Sequence, residues 1–154
     1  MLIKAKGIEM TGQVNYLVEA PKLEQECYLL YIKPKPFYVL YKWRGFFFEK
    51  ERLALHRIYP TKEDVERASE FVKDFFISHK EQLNYLTSKP EPGTEVWHGY
   101  GGSSIDIEST NFDPKNTFHQ DLLMTFQLYG TREDLIKDID LITEALEEEY
   151  KKAH

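Results

Sequence analysis

Two apolar stripes, each opened by a threonine, set the first limit on how this chain can fold. Thr61 is followed three residues later by Asp64, and Thr131 by Asp134. In that spacing a hydroxyl caps a helix and an acid sits in its first turn. After Thr61, the residues Val65, Ala68, Val72, Phe75, Phe76, His79, Leu83 and Leu86 recur mostly at steps of three and four. Glu63, Glu66, Lys73, Lys80 and Glu81 fall on the opposite face. The pattern predicts one long amphipathic helix running to Leu86. After Thr131, the stripe Leu135, Ile139, Ile142, Leu146 and Tyr150 predicts a second, terminal helix. Helices with a single apolar face need another layer to bury it against.

The remainder of the chain offers strands. Residues 2–9 read as a first strand, turned by Thr11-Gly12 into the alternation Val14, Tyr16, Val18, which Pro21 breaks. Residues 27–33 and 37–43 are apolar and aromatic runs on either side of Pro34-Lys35-Pro36. Two prolines cannot sit in a ladder, so the chain is expected to reverse there. The pattern leaves 46–59 unassigned. Ile105 and Ile107 alternate with acids, and Leu122, Met124, Phe126 and Leu128 share one face of a further strand. Each Thr-capped helix follows a strand, but the flanking strands differ, and no internal repeat is read. The expectation is a single α+β domain over residues 1–154: one mostly antiparallel sheet of about six or seven strands with both helices on one face. Its other face would be aromatic and open.

Composition bounds the function. A chain of 154 residues matches one domain. Cys27 is the only cysteine, so no intrachain disulfide can form and a reducing cytoplasm is expected. No apolar run approaches the roughly 20 residues that span a bilayer, and residues 1–10 lack the apolar stretch of a signal peptide. The net charge of −6 is uneven: residues 1–60 carry ten basic and six acidic side chains, 61–130 six and twelve, 131–154 four and eight. Such acidity argues against general nucleic-acid binding, which needs clustered positive charge, and suits a basic partner.

The least ordinary segment is 97–104, Trp-His-Gly-Tyr-Gly-Gly-Ser-Ser. Its glycines could bring backbone amides to an anion with His98 nearby as acid or base; equally, it could be a glycine-rich reversal. It matches neither phosphate-loop pattern nor nucleophile elbow. His98, Asp106, Glu108, His119 and Asp121 are metal-ligand types without metal-ligand spacing, so neither metal nor cofactor is expected. Lys33, Lys35, Lys42 and Arg44 interleave with Tyr38, Tyr41 and Trp43 before Phe46-Phe47-Phe48. These aromatics exceed what one face can bury, which points to an exposed patch. The resulting expectation is a non-enzymatic protein-interaction domain, resembling immunity proteins or antitoxins in size and charge, that holds a basic protein partner. Trp97, His98, Tyr100, Ser103, Ser104, Tyr38 and Trp43 are its expected binding residues, with no catalytic residue assigned. A small-ligand or hydrolase-type site on the 97–104 loop with His98 is the alternative, and a homodimer through the aromatic face would use the same residues.

Overall fold

Strand β1 (Glu26–Leu30) buries Cys27, Leu29 and Leu30 between two antiparallel neighbours, β2 (Tyr38–Lys42) and β3 (Ile58–Tyr59). Side chains alternate across a strand, and both faces of this sheet are apolar. On the outer face Cys27 and Leu29 meet Trp43, Ile58 and Leu53, the last from helix α1 (Phe47–Ala54). On the inner face Tyr28, Leu30 and Tyr59 meet Val65, Ala68 and Val72 of helix α2 (Lys62–Ser78). The computed structural model describes residues 14–30, 38–99 and 107–154.

The second half is built the same way. Strand β4 (Glu95–Gly99) pairs antiparallel with β5 (Ile107–Asn111) and, through Trp97, with Tyr129. Helix α3 (Thr117–Met124) supplies Leu122 to an outer layer with Val96, Phe112 and Leu128. Helix α4 (Arg132–Ala153) packs Leu135, Ile139, Ile142 and Leu146 inward. Both long helices start where the threonines predict: the Thr61 and Thr131 hydroxyls accept the Asp64 and Asp134 amides, each at 3.1 Å.

These are two copies of one unit, residues 14–79 and 83–154. Their strands are offset by 69 positions and their helices by 70. Leu17 N donates to Ile58 O and Leu86 N to Leu128 O, both at 2.8 Å; Glu24 N to Trp43 O and Gly93 N to Phe112 O repeat the match. His56 and Phe126 hold positive φ of 65° and 64°, and Glu24 and Gly93 hold 68° and 87°. The expectation of no repeat is therefore corrected. Identity survives mainly in Asn15-Tyr16-Leu17 against Asn84-Tyr85-Leu86 and in 58–65 against 128–135. Phe48 and Leu53 also match Phe118 and Leu123, and burial is kept at Cys27 against Val96 and Trp43 against Phe112.

The units exchange helix ends. Phe76 of α2 meets Tyr85 of the second unit edge-on at 5.7 Å, and the Tyr85 hydroxyl donates to Phe76 O at 2.6 Å. Reciprocally, Tyr150 of α4 stacks on Tyr16 of the first unit at 4.3 Å. One buried cluster draws residues from both units. Full burial of a side chain such as Phe76 or Leu146 contributes about 1.5–3 kcal/mol.

Other expectations shift with this architecture. The described residues form five strands in two small antiparallel sheets with four helices, instead of one sheet of about six or seven strands carrying two helices on one face. Each sheet is covered on both faces, by a short helix and a long one. Residues 122–128, expected as a strand, are the end of α3 and a turn through Phe126. Residues 47 and 48 open α1. Helix α2 ends at Ser78, and residues 83–86 lie outside any helix, with Leu86 N bonded to Leu128 O. Of the strand expected at Ile105 and Ile107, Ile107 lies in β5; Ile105 and the strand expected over 2–9 lie outside the described residues. No helix among the described residues is long and apolar enough to cross a membrane.

Candidate functional site

The link from β2 to α1 is the most elaborately held turn of the first unit. Trp43 closes it from below: it is 4% exposed, with its backbone N bonded to Gln25 O at 3.0 Å. Gly45 then takes φ +77°, a conformation that side-chain-bearing residues adopt at a cost. Glu49, fully buried, turns its carboxylate back to accept the amides of Arg44, at 3.1 Å, and Phe46. This is one arm of a capping box, and it fixes the backbone that carries Phe46 and Phe47. Those two rings are 53% and 76% exposed. Phe48 turns inward beneath the Arg52 guanidinium, 5.2 Å from its ring centre.

The second unit makes the same turn with different chemistry. The Asn116 side chain caps α3 through Phe118 N at 2.8 Å and His119 N at 3.2 Å. His119, the counterpart of Glu49, accepts Asp113 N on its Nδ1 at 3.0 Å. Its Nδ1 is thus committed to the backbone as an acceptor. Nothing in the spacing of the histidines announced that role. Only the alignment of the two units shows it.

The expected site residues divide. Trp97 is half-buried, and its backbone exchanges bonds with Tyr129 at 2.8 and 2.9 Å while its ring packs on the main core. His98 is 4% exposed, with its ring edge-on to Phe118 at 5.4 Å. Burial lowers its pKa below the ordinary 6.5, against the opposing pull of Glu108. Trp43, expected at the surface, is a core residue because strand alternation turns it into the outer layer with Cys27 and Leu29. Tyr38 is half-buried, edge-on to Tyr28 at 6.2 Å. Tyr100, Ser103, Ser104 and Asp106 lie outside the described residues. Among the described residues no three His, Cys, Asp or Glu side chains are arranged to hold a metal ion. Burial pushes the Cys27 thiol up to about 11, and Glu49 adds to the shift, so it is a poor nucleophile.

The residue-by-residue correspondence of the units adds a contrast that the sequence did not show. Where the first unit presents Val39, Leu40, Phe46 and Phe47 to solvent, the second has Glu108, Ser109, Asn116 and Thr117. Val18 likewise faces Thr87 in this comparison. The fold makes both turns and both edge strands with polar residues in one unit, so it does not require the apolar ones in the other. Charge is unequal as well: residues 14–82 carry twelve basic and eleven acidic side chains, residues 83–154 six and fourteen. No family model, no curated protein and no solved structure matches this chain.

Proposed function

We propose that this chain is a protein-binding domain whose first unit supplies an apolar anchor, centred on Phe46 and Phe47, and whose acidic second unit favours a basic partner. One observation carries the reading: at the five equivalent positions Val18, Val39, Leu40, Phe46 and Phe47 the first unit is apolar where the second is polar. Exposed aromatics held on a rigid backbone are the residues that dominate binding energy when a partner buries them. A net charge of eight negatives over 83–154 would steer a basic partner toward the molecule without supplying most of the affinity. An inhibitor that occludes a basic toxin is one protein of this description, an analogy of size and charge alone.

The repeat supplies the test. Phe46→Asn with Phe47→Thr installs the second unit's own residues in the first. Stability in urea should change by less than about 1 kcal/mol, because both side chains are solvent-exposed already. Affinity for a partner captured by the wild-type chain should fall at least about tenfold. Unaltered capture of the same partner by the double variant would place its contact elsewhere and sink the assignment.

A further inference from the structure

Arg57 is fully buried at the start of β3. Its guanidinium donates to Leu55 O at 2.5 Å and to Thr143 Oγ1 of α4 at 3.3 Å, both neutral acceptors. Its Nε has no partner. Burial lowers its pKa only to about 10, so it is a cation at neutral pH, and no carboxylate among the described residues pairs with it. A buried, uncompensated charge costs several kcal/mol, and stable folds compensate such groups with a counter-charge.

The same side chain borders a cavity of about 20 Å³, walled by Phe76, Phe126, Ile139 and Ile142. Gln127 borders it too. Gln127 is the counterpart of Arg57, so the cavity lies where the two units meet. Its amide nitrogen gives one hydrogen to Thr125 Oγ1 at 2.5 Å and has a second to offer. A space of this size has room for a single small ion. We propose that this cavity is a binding site for a single monovalent anion of halide size, held by the Arg57 guanidinium with Gln127 as second donor. The apolar walls strip competing water, which strengthens the attraction. The anion would link the first unit's β3 to the second unit's α4 at the point where they pack.

Two measurements test this. Crystals of the wild-type chain soaked in sodium bromide should show an anomalous peak in the cavity, within contact of the guanidinium. At fixed ionic strength, replacing sodium gluconate by sodium chloride should raise Tm saturably by about 3 °C. In Arg57→Gln that rise should vanish. The variant should fold, since glutamine occupies the equivalent position of the second unit. A cavity holding water alone in bromide, or an equal chloride response in wild type and R57Q, would overturn the assignment. The bromide map stands even if the variant fails to fold.

Discussion

His56 and His98 have counterparts that cannot titrate, Phe126 and Leu29. Burial depresses both imidazoles below 6.5; Glu147, bonded to His56 Nε2 at 3.3 Å, and Glu108 oppose the shift without cancelling it. Well above pH 6.5 both rings are neutral, folded or unfolded. Below it the unfolded chain takes up protons that the folded chain refuses, so stability falls with pH until the folded imidazoles protonate. His56→Phe and His98→Leu should each keep stability at pH 7.5 within about 1.5 kcal/mol and lose less of it between pH 7 and 5. Urea midpoints across that range decide the matter; a slope equal to wild type would show that the ring does not titrate as its burial requires. His56→Phe is sterically reasonable, because Phe126 already holds the same positive φ and the ring can stack on Tyr16 as His56 does at 3.9 Å.

At the level of elements, what could be read in advance followed from the length of the pattern. Helices α2 and α4 show several turns of apolar stripe behind a threonine cap, and both were legible. Helices α1 and α3 have eight residues each, too few for a period of 3.6 to separate from alternation. Leu122, Met124, Phe126 and Leu128 alternate in sequence, yet Met124 is 74% exposed while Leu122 and Leu128 are buried, because Phe126 reverses the chain. The short helices depend on their caps. Replacing Glu49 with Ala would strand the Arg44 and Phe46 amides and open space in the outer layer. A loss of about 2–3 kcal/mol is expected in equilibrium unfolding. A change below about 0.5 kcal/mol would mean that water satisfies those amides and that the turn is not held as described. Partner binding should weaken together with stability in this variant, whereas the surface exchange at Phe46 and Phe47 separates the two.

The whole molecule was the least legible scale. Its duplication is legible in a few shared residues, Asn-Tyr-Leu and a stretch around Tyr59 and Tyr129, while most other positions differ in chemistry. Of the expected exposed aromatic patch, Phe46 and Phe47 are at the surface and Trp43 is not. Alternation alone could not assign faces without knowing that α1 covers the outer one. What the duplication explains is asymmetry. The first unit holds Val39, Leu40, Phe46 and Phe47 at its surface, and the second holds most of the negative charge.

The reciprocal contacts of α2 and α4 have a further consequence. Lys80, Glu81 and Gln82, all exposed, join two units whose inner faces are mutually complementary, so the covalent link acts chiefly by raising the local concentration of one unit around the other. Cut there, residues 1–80 and 81–154 should each be poorly folded alone and should recover helical circular dichroism on mixing, as a one-to-one complex. The tether is then replaceable by concentration, and each fragment becomes a sensor that reports the other's presence by folding.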